Sequence, residues 1–178
     1  MLNRLAMRGD RNWIVSIASP TSRVTSMNGL TIESQIDLEQ ASKADAVLFG
    51  SGMKTREVAE NLSIMSQIRL DSSRQLIGAQ CSGTFLLAKL GLLGTLPACT
   101  DLTSKPWVQA AGVDVVNQPF IASGNLATAG GCFAAQYLSA WVIARLKSEE
   151  DAREVLHYFA PVGEKEEYVE RGMRHVYL

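Results

Sequence analysis

Residues 75–94 read QLIGAQCSGTFLLAKLGLLG. An apolar strand over 74–79 runs into an apolar helix reaching about residue 93, with only Gln80-Cys81-Ser82-Gly83 between them. A strand that feeds straight into a helix opens a βαβ crossover, so this stretch commits the chain to a parallel sheet with helices packed on it. It also sets Cys81 at the corner. Ala79 two residues before and Gly83 two residues after are small, as the tight, strained turn of a nucleophile elbow requires. The helix N-terminus then faces the sulfur. Its unpaired amides and dipole favour a thiolate, and such positions lower a cysteine pKa from about 8.5 to roughly 3.5–7.5. The competing reading is a buried cysteine packed at a strand end.

The rest of the chain repeats the pattern. Residues 2–8 read as the end of a short helix and 12–19 (NWIVSIAS) as an apolar strand. Asn28-Gly29, set between β-prone residues over 23–32, predicts a hairpin. A short helix over 37–43 precedes ADAVLF at 44–49, a strand of the fully buried type, and 54–70 is an amphipathic helix. Strands are expected at 96–101, 113–116, 120–122 and 126–128, with a short helix at 105–111. A long apolar helix covers 132–147. Ser148 caps a second helix to residue 159 with acidic residues in its first turn, Pro161 ends it, and 164–176 has charged helical spacing. Strands alternating with helices indicate an α/β sheet covered on both faces. With no repeat, linker or low-complexity stretch, residues 1–178 are expected to form one domain.

Charge excludes some functions. Lys plus Arg (17) nearly balance Asp plus Glu (18), without a basic cluster, so no nucleic-acid partner is expected. Lys89 and Gly91 interrupt the longest apolar run, so no membrane span is expected, and the N-terminus lacks a signal-peptide core. These features place the chain in the cytoplasm as an expectation. Three cysteines without paired metal spacing are expected to be free thiols, with no metal site.

Other candidates cluster at predicted strand ends, where ligand sites of open α/β sheets lie. Gly50-Ser51-Gly52 can supply backbone amides that join the Ser82 amide in an oxyanion hole, or be a plain turn. Thr128-Ala129-Gly130-Gly131 lets backbone pass close to the same site. Asp101, closing the strand after the elbow helix, is either a general base or hydrogen-bond acceptor, or a cap for the next turn. Ionised, it would raise the Cys81 pKa. Cys132 starts a helix and is either reactive or packed on the sheet, Cys99 is core, and His157 and His175 are surface or helix-end residues.

ADAVLFGSG, IGAQCSGTFLLAKLGLL, PACTD and LATAGGCFAAQYLSAWVIARL, in this order and spacing, resemble the ThiJ/PfpI superfamily over roughly residues 12–147. That superfamily is related to class I glutamine amidotransferases. The nearest likeness is to the isonitrile-hydratase branch and to the sensor domains of AraC-type regulators. The resemblance implies a flavodoxin-like sandwich, a homodimer, a small-molecule substrate or ligand, no cofactor, and Cys81 as nucleophile or redox-sensitive thiol. It maps the family's strand-end loop onto Ser51-Gly52, the residue after the nucleophile onto Ser82, and the Gly-Gly loop onto Thr128, Gly130 and Gly131. Many members carry a histidine after the elbow helix, where this chain reads Ala98-Cys99-Thr100-Asp101. Members also usually open with an internal strand and a helix bearing an acidic partner for the cysteine. Residues 1–10 correspond to the end of that helix, so the first strand of the pattern is expected to be missing. An AraC-type regulator would carry a C-terminal helix-turn-helix, and with the sequence stopping at Leu178 none is expected here. The implied activity is a Cys-dependent hydratase or hydrolase for a small carbon–nitrogen or carbonyl substrate. The alternatives are a non-catalytic redox-sensing or ligand-binding domain using the same cysteine, and a degenerate member whose sheet serves dimerisation.

Overall fold

A computed structural model of the chain describes residues 1–176. In chain order the elements are α1 (Arg4–Met7), β1 (Arg23–Thr25), β2 (Thr31–Glu33), α2 (Leu38–Ala41), β3 (Ala46–Phe49), α3 (Thr55–Glu60), α4 (Leu62–Met65), β4 (Leu76–Gln80), α5 (Gly83–Lys89), α6 (Lys105–Ala110), β5 (Phe120–Ser123), β6 (Leu126–Ala129), α7 (Ala135–Leu146), α8 (Glu149–Phe159) and α9 (Lys165–Val176). A single 3-10 turn, Cys132–Ala134, leads into α7. The main sheet has the order β3-β4-β6-β5, with β3, β4 and β6 parallel and β5 antiparallel to β6. β1 and β2 form the expected hairpin.

Alternation along the strands divides the core between two faces. Ile77, Ala79 and Leu126 pack with Phe85, Leu87 and Val108 of α5 and α6. Leu76, Ala127 and Ala129 face Leu138, Trp141 and Val142 of α7. α8 and α9 close over the outer side of α7 through Ile143, Val155, Leu156 and Met173. The result is an α/β, flavodoxin-like sandwich with helices on both faces of a mainly parallel sheet. Ser148 caps α8 by accepting from the Asp151 amide at 3.0 Å, as its sequence predicts. Among the described residues no helix is long and apolar enough to cross a membrane.

Several expected elements are shorter or different. Residues 12–19 do not form a strand. They make one isolated bridge, Ala18 to Ile36, and leave Ile14 82% exposed. An apolar segment becomes a strand only when a ladder partner satisfies its backbone, and here the bonds from the facing segment come from Gln35 and Ile36 and reach only Ile17 and Ser19. Likewise 44–49, read as fully buried, yields a half-buried strand, because β3 lies at the sheet edge and pairs only with β4. Among the described residues no strand pairs with the other edge of β3. Residues 96–101 and 113–116 reduce to a single bridge, Ala98 to Val115. The expected helix over 54–70 breaks at Asn61, whose side chain turns back to cap α4 at the Ile64 amide, 3.1 Å away. The elbow helix stops at Lys89, where Gly91 takes φ +70°.

Candidate active site

β3, β4 and β6 are parallel, so their carboxyl ends meet at one edge of the sheet. Cys81 leaves β4 there with φ +50°, the only non-glycine residue with positive φ among those described. This is the strained corner of a nucleophile elbow, and holding a side chain in that region costs on the order of 1–3 kcal/mol. The strain is held by backbone bonds on both sides. The Cys81 amide donates to the Ala129 carbonyl at 2.8 Å, and the Thr84 amide donates to the Cys81 carbonyl at 3.1 Å. The Thr100 hydroxyl donates to the same carbonyl at 2.8 Å. Immediately after the corner, Gly83 lies so close to β3 that a Cβ would run into the Phe49 carbonyl oxygen. The side-chain-free position is therefore what lets the elbow helix start against β3.

Cys81 is 2% exposed, and its sulfur has two polar neighbours. The Gln80 side-chain amide donates to it at 3.1 Å and also donates to the Gly131 carbonyl at 2.7 Å, tying the elbow to the loop after β6. The Gly131 backbone also acts on the sulfur. Burial pushes the Cys81 thiol above its ordinary value of 9.0, and the nearby Cys132 and Asp101 push the same way, while Gln80 and Gly131 pull it down. The expected depressed thiol is thus reversed. Desolvation disfavours the thiolate more than the neighbouring dipoles favour it.

The three sequence-predicted loops converge on this edge with different roles. Ser82, buried behind the elbow, accepts from the Gly52 amide at 3.1 Å and lies 3.1 and 2.9 Å from the Ser51 and Thr55 hydroxyls. Ser82 is therefore a clamp between α5 and the loop after β3, and the Gly52 amide is occupied. Gly50 and Ser51 stay exposed. The Ser82 and Gly83 amides open α5 without helical acceptors. Thr128 points to the other side of its strand and accepts from the Cys99 amide at 2.8 Å. At Gly130 a Cβ would sit 2.5 Å from the Thr100 carbonyl oxygen, so that loop presses on the segment carrying Asp101. Asp101 accepts from the Thr103 and Ser104 amides, both at 3.0 Å, and so caps the turn into α6 while its charge acts on Cys81. Met53, Leu102 and Phe133, each beside one of these loops, are 77%, 89% and 89% exposed and give the rim apolar side chains.

Gln80 and Thr100 were not singled out in the sequence. Gln80 ends a strand, where a polar residue reads as a boundary, and only its neighbour's identity as the elbow cysteine could have flagged it. The histidines lie elsewhere. His157 approaches Glu166 at 3.8 Å, and the His175 ring rests on Tyr137. No His/Cys/Asp/Glu group among the described residues could hold a metal ion.

Cys99 is fully buried, as expected for a core residue, and burial pushes its thiol up to about 11. The folded chain keeps a proton there that the unfolded chain sheds near pH 9. Stability is therefore full below pH 9 and falls as pH rises toward about 11. The loss expected from this residue is on the order of 2–3 kcal/mol. Urea unfolding of wild type and Cys99→Ala at pH 8 and 11 checks it: the extra alkaline loss should vanish in the variant, and equal losses would refute it.

The match to known proteins follows the same geometry. A family model described as DJ-1/PfpI family matches residues 3–145. A ThiJ/PfpI family protein from Pseudomonas syringae superposes with a TM-score of 0.73 at 17% identity, over 92% of this chain and 76% of that one. Schizosaccharomyces pombe DJ-1 gives 0.69 at 12% identity, over 84% of this chain and 86% of its own. A DJ-1 superfamily protein from Salmonella typhimurium gives 0.67 at 22% identity, over 81% and 80%. No curated protein matches. With the family model spanning most of its length and the fold shared with these structures, the chain belongs to the DJ-1/PfpI family.

Proposed function

We propose that Cys81 is the nucleophile of a hydratase or hydrolase acting on a small carbon–nitrogen or carbonyl substrate. The observation that carries the reading is the φ of +50° at Cys81, a strain kept at a corner that presents sulfur beside a helix start. The sulfur attacks an electrophilic carbon, so that a carbon–sulfur bond forms as a carbon–nitrogen or carbon–oxygen π bond opens, and water later displaces the sulfur and returns the thiol. On a carbonyl substrate negative charge then develops on the oxygen, where amides of Ser82 and of Gly50 and Ser51 supply donors, whereas an isonitrile carbon takes up a proton instead. Asp101 orients water or moves the proton. The apolar rim of Met53, Leu102 and Phe133 suits a substrate with an apolar substituent.

Turnover of a panel of isonitriles and reactive carbonyl compounds tests this. Cys81→Ala should fall to background with an unchanged melting temperature, and Asp101→Asn, which keeps the capping oxygen, should lose about 10²-fold in kcat. Activity surviving in Cys81→Ala would sink the reading.

A further inference from the structure

We propose that Cys81 and Cys132 form a reversible redox pair, in which a hydroperoxide oxidises Cys81 and Cys132 resolves it as an intramolecular disulfide. The inference rests on the reading of Cys81 as a reactive thiol. Strand register sets the two residues close. Gln80 pairs with Ala129, and the Cys81 amide bonds to the Ala129 carbonyl at 2.8 Å, so the elbow and the start of the Gly-Gly loop run side by side. Gln80 then bridges the Cys81 sulfur and the Gly131 carbonyl through one amide nitrogen, at 3.1 and 2.7 Å. Cys132 is the next residue along. It is exposed, whereas Cys81 is almost wholly buried and Cys99 fully so.

Cys132 starts a single 3-10 turn rather than regular helix, and it is joined to the site through Gly131 at φ +86°, where even an added Cβ would meet nothing within 4 Å. A disulfide needs Cα atoms about 4.4–6.8 Å apart, and Cys132 already lies near enough for its charge to act on the Cys81 sulfur. The chemistry balances. The Cys81 sulfur attacks the distal peroxide oxygen, the oxygen–oxygen bond breaks, and an alcohol or water leaves with the thiol proton, giving a sulfenic acid. The Cys132 sulfur then attacks the Cys81 sulfur, the sulfur–oxygen bond breaks, and water leaves. A dithiol restores both thiols. The disulfide would withdraw the nucleophile under oxidant and protect it from over-oxidation to sulfinic acid.

The full chain treated with equimolar hydrogen peroxide, then analysed by intact mass, thiol titration and disulfide mapping, tests this. Wild type should lose two hydrogens and two of its three free thiols, with the bridge mapped to Cys81–Cys132 and fully reversed by dithiothreitol. Cys99→Ala should behave the same. Cys132→Ser should instead gain oxygen on Cys81, trapped by dimedone as sulfenic acid or seen as sulfinic acid. Oxygen gain on Cys81 in wild type without a bridge, or a bridge to Cys99, would overturn the pair while leaving Cys81 a reactive thiol. Cys81 unmodified by peroxide and by iodoacetamide at every pH would overturn both.

Discussion

Gly83→Val is expected to be the most destabilising single change at the elbow, costing about 3 kcal/mol by overpacking. Its Cβ would enter the Phe49 carbonyl oxygen and approach the Gly50 carbonyl, both backbone atoms that no rotamer can move aside. Either α5 or β3 has to shift, and both carry the site. For a chain of this size the loss corresponds to a fall in Tm of roughly 6–12 °C. Gly50→Ala is the control: nothing lies within 4 Å of its added Cβ, so its stability should stay within about 0.5 kcal/mol of wild type. Thermal unfolding of both variants decides the matter. A Gly83→Val protein melting with wild type would mean that the close approach to β3 is not what seats the elbow.

The second large effect is on the reactivity of the thiol. Alkylation of Cys81 by iodoacetamide should be slow at neutral pH and rise with pH toward a midpoint above 9.0, because burial holds the sulfur neutral. Gln80→Leu removes the donor that favours the thiolate, so its midpoint moves higher still, and alkylation at pH 8 should slow about tenfold for a lost bond to a charged sulfur. Labelling resolved by mass spectrometry separates Cys81 from the exposed Cys132 and the buried Cys99. A wild-type midpoint below pH 8 would show that the opening of α5 outweighs desolvation. The position of this midpoint decides how the proposed reaction begins. A neutral resting thiol must lose its proton as substrate binds, which gives Asp101 or a bound water a necessary part.

The backbone plan of the site is legible in the sequence. An apolar strand running through Gln80-Cys81-Ser82-Gly83 into an apolar helix has few geometric solutions, and positive φ at Cys81 is the one found. The loops at Gly50–Gly52 and Thr128–Gly131 lie at the same sheet edge because parallel strands place their carboxyl ends together. What those loops do was not legible. Ser82 reads as a supplier of a backbone amide, yet its hydroxyl takes up the Gly52 amide and clamps two elements. Asp101 reads as base or cap; the structure shows its carboxylate bonded to two backbone amides while its charge still reaches the sulfur.

The misread strands share one cause. Residues 12–19 and 96–101 have strand composition, but periodicity records only how a segment would like to be buried, not whether a neighbour exists to complete its ladder. The local sequence by itself determined the elbow and the parallel α/β plan, because these follow from short-range sterics and alternation. The tertiary structure alone decided that β3 is an edge, that Gln80 bridges the sulfur to the Gly131 loop, and that the Cys81 thiol is held neutral. Pairing partners and desolvation come from residues distant in the chain, and no local pattern carries them.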